Sequence, residues 1–139
     1  MKYYSGIGSR VTPANILANM TEHAKRLEYE GYVLRSGGAT GADTAFADGC
    51  TDKVIYRPTQ ATTAALDLAS KYHPNWKACN DYVRRLHARN AFIILGEDLD
   101  EPSEFVMCWT PEGKVVGGTG LALRICEDYG IEVINLGKM

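Results

Sequence analysis

The sequence predicts an α/β fold: a doubly wound, mainly parallel five-stranded sheet with helices on both faces. Short runs of apolar and β-branched residues alternate with longer segments in which apolar residues recur at helical spacing. The connections between these segments are short, which is typical of strand–helix–strand units with parallel strands. In sheets of this kind a ligand binds at the carboxyl ends of the strands, where the strand order reverses.

Five segments have the character of strands, and they cover residues 2–7, 32–36, 53–56, 105–109 and 132–136. The fourth segment runs from Phe105 to Trp109 and is almost entirely apolar. Such a run is typical of a parallel strand that is buried on both faces of the sheet.

Five helices are predicted. The first starts near Pro13 and ends at Gly31, and the others cover 42–47, about 60–71, about 78–95 and about 119–129. Proline suits a first helical turn because no N–H is needed there. His87 is a candidate kink in the fourth helix. The end of that helix, residues 91–95, is apolar enough to be a strand instead, but we favour a helix because no breaker interrupts the periodic segment.

Three glycine-rich turns stand at the carboxyl ends of predicted strands or at the start of a helix. They are Ser5-Gly6-Ile7-Gly8-Ser9-Arg10, Ser36-Gly37-Gly38-Ala39-Thr40-Gly41-Ala42-Asp43 and Gly117-Gly118-Thr119-Gly120. Glycine lets backbone N–H groups approach an anion closely, and a helix N-terminus adds partial positive charge. The three turns together predict a ligand that carries phosphate, bound at the carboxyl ends of strands one, two and four.

The composition is that of an ordinary globular chain. The 139 residues predict a single domain over 1–139, with 45% hydrophobic and 23% charged residues. A formal net charge of −2 argues against a protein that coats nucleic acid by charge alone. We expect a cytoplasmic protein without a membrane partner, because the N-terminus lacks a secretory leader and no apolar run approaches the ~20 residues of a membrane span.

Four cysteines, Cys50, Cys79, Cys108 and Cys126, lie far apart in the sequence. None belongs to a C-x-x-C pair or has a histidine at the spacing of a local zinc motif. We therefore expect reduced structural thiols, with Cys108 in the core, and neither a metal nor a cofactor.

Four motifs, in their order along the chain, resemble those of the Smf/DprA–LOG (SLOG) superfamily of Rossmann-like proteins. They are Ser5-Gly-Ile-Gly-Ser-Arg10, Ser36-Gly-Gly-Ala-Thr-Gly-Ala-Asp43, His87-Ala-Arg-Asn90 and Gly117-Gly-Thr-Gly120. The resemblance covers nearly the whole chain and is greatest to short, single-domain, often phage-encoded members described as DprA-like. It implies a nucleotide-type ligand and a homo-oligomer, since superfamily members usually pair through helices beside the pocket.

The superfamily contains proteins of several functions. DNA-processing protein A loads recombinase onto single strands, LOG phosphoribohydrolases cut the N-glycosidic bond of nucleoside monophosphates, and sensor domains bind nucleotide-derived immune signals. On the matching motifs and on position at strand ends, we expect the following residues to bind the ligand: Gly6, Gly8, Ser9, Arg10, Ser36, Gly37, Gly38, Thr40, Gly41, Asp43, Arg89, Asn90, Trp109, Thr110, Gly117, Gly118, Thr119 and Gly120.

One departure from the LOG pattern bears on catalysis. LOG enzymes carry two glutamates after their last glycine turn, and this chain has Leu123 and Arg124 at the matching positions. A carboxylate is what stabilises an oxocarbenium-like transition state or activates water. The sequence therefore favours binding over hydrolysis, and Asp43 and Glu127 are the candidate acids if the protein is an enzyme.

Several candidates have a structural alternative. Arg10 is placed either to hold a phosphate or to cap a neighbouring helix end. Asp43 suits the first turn of any helix, but it is also placed to accept a ribose hydroxyl. Trp76, in the turn 73–76, is either a packing anchor or a lid that stacks on a base. The basic residues between Lys77 and Arg89 are more typical of a solvated helix face than of a nucleic-acid track.

Three functions remain open. The first is a binding module that captures a nucleotide or a nucleotide-derived signal, and in a phage it would sequester an immune messenger. The second is an N-glycosidic hydrolase of nucleoside monophosphates. The third, single-stranded DNA binding with recombinase loading, is disfavoured by the acidic pI near 5.9.

Overall fold

The computed structural model describes residues 1–138, which form a Rossmann-like, doubly wound α/β fold. All five strands are parallel and belong to one sheet in the order β3-β2-β1-β4-β5. The strands are β1 (Lys2–Gly6), β2 (Tyr32–Ser36), β3 (Lys53–Ile55), β4 (Phe105–Cys108) and β5 (Glu132–Asn135). The helices are α1 (Ala14–Tyr29), α2 (Ala42–Asp48), α3 (Thr63–Ser70), α4 (Asp81–Leu95) and α5 (Gly117–Tyr129).

The strand order reverses at β1, which is the central strand. From β1 the chain builds outward through β2 to β3, and then crosses back to place β4 on the other side of β1. Ser5 stands opposite Arg35 on one neighbouring strand and opposite Val106 on the other. A crevice therefore opens at the carboxyl ends of β1 and β4, as the topology of such sheets requires.

Each face of the sheet has its own core. Helices α1 and α2 cover one face, where Tyr4 and Leu34 of the sheet pack with Met20 and Phe46. Helices α3, α4 and α5 cover the other face. Each fully buried large side chain of this kind stabilises the fold by about 1.5–3 kcal/mol relative to an exposed one.

The predicted elements are confirmed with small shifts at their ends. Residues 91–95 are helical, and α4 runs unbroken through His87, so the kink considered there is not present. Helix α5 begins at Gly117 rather than near 119, and α3 begins at Thr63 after a short 3₁₀ turn, Pro58–Gln60. Four of the strands end one residue earlier than predicted, because the chain leaves the ladder there to enter a turn.

The helix N-termini differ in whether a side chain caps them, and this difference affects the site described below. Asn80 Oδ1 accepts a hydrogen bond from Val83 N–H at 2.9 Å, and Thr62 Oγ1 accepts one from Ala65 N–H at 3.2 Å. Helices α2 and α5 begin after Gly41 and Val116, which provide no side-chain cap. The first N–H groups of α2 and α5 therefore depend on another partner.

The four cysteines are free thiols, as expected. Cys108 lies on β4 in the core, and burial raises the pKa values of Cys108 and Cys126 to about 12. Both thiols are thus held in their unreactive protonated form. Within residues 1–138, no helix combines the length and the apolar character that crossing a membrane would need.

Candidate functional site

A cavity of about 650 Å³ opens at the carboxyl edge of the sheet. Its walls come from the turns after β1, β2 and β3, one face of α4, and the segment that leads into α5. This volume is within the range of sites for nucleotide-sized molecules. The lining residues are Ile7, Gly8, Ser9, Arg10, Gly38, Ala39, Thr40, Asp43, Arg57, Pro58, Tyr82, Val83, Leu86, His87, Arg89, Asn90, Pro111, Val116, Gly117, Gly118 and Thr119.

The turn after β1 forms one wall. Ser9 N–H donates to the carbonyl of Trp109 at 3.1 Å, which ties this turn to the end of β4. A Cβ on Gly8 would lie 2.7 Å from Ala42 Cβ, so glycine at this position lets the turn pack against the start of α2. Arg10 follows at the cavity wall with its backbone beside Gly41.

The turn after β2 brings Asp43 and Arg89 together. A Cβ on Gly37 would lie 2.6 Å from Arg89 Nη1 and 2.7 Å from Asp43 Oδ2, so both groups occupy the space that a side chain would fill. Asp43 Oδ2 also accepts a hydrogen bond from Ala39 N–H at 3.2 Å. Gly41, with φ of +92°, adopts a conformation that L-residues rarely reach.

Burial is the largest influence on the pKa values of Asp43 and Arg89. It raises the pKa of Asp43, while the positive charge of Arg89 and the hydrogen bond from Ala39 act in the opposite direction. Burial likewise lowers the pKa of Arg89, and Asp43 opposes that shift. An arginine nonetheless stays protonated at neutral pH. The cavity therefore contains a buried cation beside a carboxyl group whose ionisation is disfavoured.

Arg89 has unused hydrogen-bonding capacity. Its Nε donates to Asn90 Oδ1 at 3.1 Å, and within residues 1–138 its two terminal nitrogens have no hydrogen-bond partner. The Asn90 amide in turn donates to the carbonyl of Gly118 at 3.2 Å. Asn90 thus joins Arg89 on α4 to the N-terminus of α5.

The N-terminus of α5 is open to the cavity. A Cβ at Gly117 or Gly118 would meet nothing within 4 Å, so neither glycine is required by packing. The first helical bond runs from Gly120 N–H to the Val116 carbonyl at 2.9 Å. The N–H groups of 117–119 therefore precede the helical ladder, and an anion is the partner that the helix end favours.

Ten lining residues were not among the predicted ligands, and three of them have a charged, polar or aromatic side chain: Arg57, Tyr82 and His87. Arg57 stands beside Gly38, where a Cβ would overlap its guanidinium group. Its position just after β3, at the same edge as the glycine turns, was an available signal. Tyr82 is 61% exposed, and it forms an apolar wall with neighbours that no motif singles out: Pro58, Val83, Leu86, Pro111 and Val116.

The structure brings most of the predicted ligand residues to one cavity wall. They are Gly8, Ser9, Arg10, Gly38, Thr40, Asp43, Arg89, Asn90, Gly117, Gly118 and Thr119. The remaining predicted residues do not line the cavity: Gly6, Ser36, Gly37, Gly41, Trp109, Thr110 and Gly120.

Most of the residues outside the wall support it instead. Ser36 Oγ donates to the Gly6 carbonyl at 2.6 Å, and Gly6 leaves space for Phe46. Asn135 donates to the hydroxyl of buried Thr110 at 2.7 Å. Trp109 packs against the core under α1 and α2.

Asp43 is the one carboxylate of the described chain in the cavity wall. Glu127 is exposed in the last turn of α5, about 15 Å along the helix axis from its N-terminus. Glu104 donates its backbone N–H to the Tyr3 carbonyl at the opposite, amino edge of the sheet. Leu123 is buried, and Arg124 lies near the Tyr72 carbonyl, at 3.5 Å.

The turn 73–76 does not provide a cavity lid in this structure. Trp76 lies outside the cavity lining and packs beside His73 and His87, with ring centroids 6.1 Å and 6.3 Å away. The guanidinium group of Arg84 lies over the same indole at 5.4 Å. Trp76 therefore serves as a packing anchor between this turn and α4.

The basic residues of α4 divide between different roles. Arg85 pairs with Asp81 at 2.8 Å on the surface, Arg84 donates to the Trp76 carbonyl, and Arg89 faces the cavity. They do not form a continuous positive track.

Comparisons of this chain with protein-family models, with curated proteins and with solved structures find no match.

Proposed function

We propose that this protein binds a nucleotide or a nucleotide-derived signalling molecule and releases it unchanged. One observation carries the proposal: three arginines and an uncapped helix N-terminus converge on a single cavity at the point where the strand order reverses. Arg10, Arg57 and Arg89 provide three positive charges there, against the one carboxylate of Asp43. Such a site favours an anion.

The phosphate end of the ligand is proposed to lie between Arg89 and the N-terminus of α5. The terminal nitrogens of Arg89 are free to form a bidentate contact with a phosphate, and Asn90 holds this arginine close to Gly118. Backbone N–H groups at Gly117–Thr119 add donors without a side chain in the way.

The base is proposed to lie on the apolar wall. Tyr82 offers an exposed aromatic ring, and Pro58, Val83 and Leu86 offer apolar surface beside it. Stacking of a base on an aromatic ring contributes about 1–3 kcal/mol. Asp43 and Thr40 are proposed to lie between the phosphate and the base. Their side chains are suited to form hydrogen bonds with the hydroxyl groups of a ribose.

The resemblance of the four glycine and arginine motifs to the SLOG superfamily supports the same proposal. In the phage-encoded, DprA-like group this would mean the sequestration of an immune messenger. Self-association is part of the proposal, because exposed apolar side chains line the cavity, at Tyr82 and Val116, or directly neighbour its lining residues in the sequence, at Val11 and Val115.

A second candidate function is N-glycosidic hydrolysis, and one observation favours it. The pKa of Asp43 is raised by burial inside the cavity, and a carboxyl group of this kind is a candidate general acid or base. Single-stranded DNA binding is a weaker third candidate, since the arginines line a cavity rather than a track.

Incubation with a nucleotide panel followed by mass spectrometry separates these functions. We expect a ligand that is retained by the wild-type protein and recovered intact. Free base would support the hydrolase, and retention of no nucleotide would overturn the proposal. Arg85→Ala is the matched control for Arg89→Ala, because it removes an arginine from the same helix outside the cavity.

A further inference from the structure

Three potential metal ligands lie close together between α4 and the turn before it: His73, Cys79 and His87. Their donor atoms lie within 4.8 Å of one another. Cys79 Sγ is 3.5 Å from His73 Nε2, and the two imidazole rings are 4.7 Å apart between centroids. With Zn–S and Zn–N bonds of about 2.3 and 2.0–2.1 Å, tetrahedral geometry puts S and N about 3.5 Å apart. The separation of these two donor atoms therefore already fits a shared metal ion.

His87 supplies an independent observation. Its side chain is 7% exposed, and its Nδ1 is buried without a hydrogen-bond partner among residues 1–138. A buried polar atom with no partner is uncommon in proteins and calls for an explanation such as an ion.

We propose that His73, Cys79 and His87 bind a Zn²⁺-type transition metal ion with three protein ligands and one further coordination position. Two imidazoles and a thiolate are the donors that Zn²⁺ prefers, and three protein ligands with an open position are typical of reactive rather than purely structural zinc sites. His87 also lines the cavity, so one ligand of the ion would belong to the cavity wall. This inference does not depend on the identity of the nucleotide.

Metal binding would change the local hydrogen bonds. At present Asn75 N–H donates to His73 Nδ1 at 2.9 Å, and the Cys79 thiol donates to the Asn75 carbonyl at 3.6 Å. Coordination through Nε2 moves the His73 proton to Nδ1, and coordination by sulfur releases the thiol proton to solvent. The hydrogen bond from Asn75 N–H is then lost because His73 Nδ1 carries a proton, and the Cys79 thiolate no longer donates to the Asn75 carbonyl.

The surrounding charges oppose a cation in part. Arg89 and Arg124 lie near His87, and both disfavour added positive charge there. The thiolate that forms at Cys79 offsets one positive charge of the ion. Because the donors are two imidazoles and a thiolate, we expect the site to bind Zn²⁺ or Co²⁺ selectively over Mg²⁺ and Ca²⁺, which prefer oxygen ligands.

The test is titration of the reduced, tag-free, metal-free protein with Co²⁺. We expect a thiolate-to-cobalt charge-transfer band together with the strong visible bands of a tetrahedral site, both displaced by Zn²⁺. The charge-transfer band should disappear in Cys79→Ser, and Co²⁺ affinity should fall at least tenfold in His73→Ala. These two residues are partly exposed, so the variants should fold, which far-UV circular dichroism checks.

Cys50→Ser and His23→Ala are the matched controls, because both residues lie on other helices or their ends. Their spectra should equal that of the wild type. A wild-type protein without the charge-transfer band, or a band that survives in Cys79→Ser, would overturn the proposal. The resonance of Asn75 N–H should also shift in NMR spectra on addition of Zn²⁺, and an unchanged resonance would contradict the proposed loss of its hydrogen bond to His73 Nδ1.

Discussion

Asp43 and Arg89 both extend into the space that Gly37 leaves empty. The nearest atoms of both side chains lie within 2.7 Å of the point where a Cβ on Gly37 would stand. The two charged groups come from different helices, α2 and α4, and the glycine between them belongs to the turn after β2. The two side chains belong to different parts of the cavity wall, and a methyl group on residue 37 would disturb both of them.

Gly37→Ala is expected to destabilise the protein by roughly 1–3 kcal/mol and to weaken ligand binding. The added methyl group would overlap the Arg89 guanidinium and the Asp43 carboxylate, so at least one of them must move. Urea unfolding measures the first effect and calorimetry the second. Unchanged stability would mean that this pair is far more mobile than the structure indicates.

Gly118→Val is expected to abolish ligand binding while the stability of the protein is little changed. A Cβ at this position meets nothing within 4 Å in the protein, so any steric conflict is with the ligand. Gly38→Val is also expected to abolish binding, since it would displace Arg57 from the cavity wall. Isothermal titration with the ligand found by mass spectrometry measures both. Full affinity in Gly118→Val would contradict a phosphate at the N-terminus of α5.

Arg89→Ala should weaken binding by roughly 1.5–3 kcal/mol if its guanidinium donates charge-assisted hydrogen bonds to phosphate. Arg85→Ala, on the same helix and paired with Asp81, should bind as the wild type does. Calorimetry on both variants gives the comparison. Equal affinities of the two variants would return Arg89 to a purely structural role.

Asp43→Asn should stabilise the ligand-free protein at neutral pH. Burial raises the pKa of Asp43 above its ordinary value of 3.8, so folding favours the protonated carboxyl. The stability that this group contributes is therefore complete below the pKa of the unfolded state and is lost as the pH rises through the folded pKa. An amide at this position does not ionise, so Asp43→Asn does not lose stability as the pH rises.

Urea unfolding of the wild type and of Asp43→Asn at pH 7 and near pH 3.5 tests this linkage. The variant's advantage should be present at pH 7 and should vanish at the acidic pH, where the wild-type carboxyl is protonated. A variant that is less stable at pH 7 would show that attraction to Arg89 outweighs the cost of burying the carboxylate.

The protein should not release free base from nucleoside monophosphates. Leu123 and Arg124 replace the carboxylates of the resembling hydrolases, and Asp43 is the one acid of the described cavity wall. If slow release is measured, Asp43→Asn and Glu127→Gln identify its source. Loss of activity in either variant would establish hydrolysis, and activity that survives both would point to a contaminant.

The alternation of strands and helices could be predicted from the sequence because it depends on local periodicity and on glycine and proline positions. The fourth strand, at 105–108, is apolar throughout since both of its faces are buried. The glycine turns lie at the edge of the sheet where the cavity opens, because strand ends in a parallel sheet share one edge. Even the choice of helix for 91–95 followed from an uninterrupted periodic segment.

What only the tertiary structure decided is which side chains meet. Arg57 enters the cavity because β3 lies beside β2, and Gly37 is needed because two helices bring Asp43 and Arg89 to one point. His73, Cys79 and His87 have no recognisable ligand spacing along the chain, yet they come together where the turn before α4 folds back on that helix. Periodicity reports which face of an element is buried, whereas contacts between distant residues depend on how whole elements pack, and no local pattern records that.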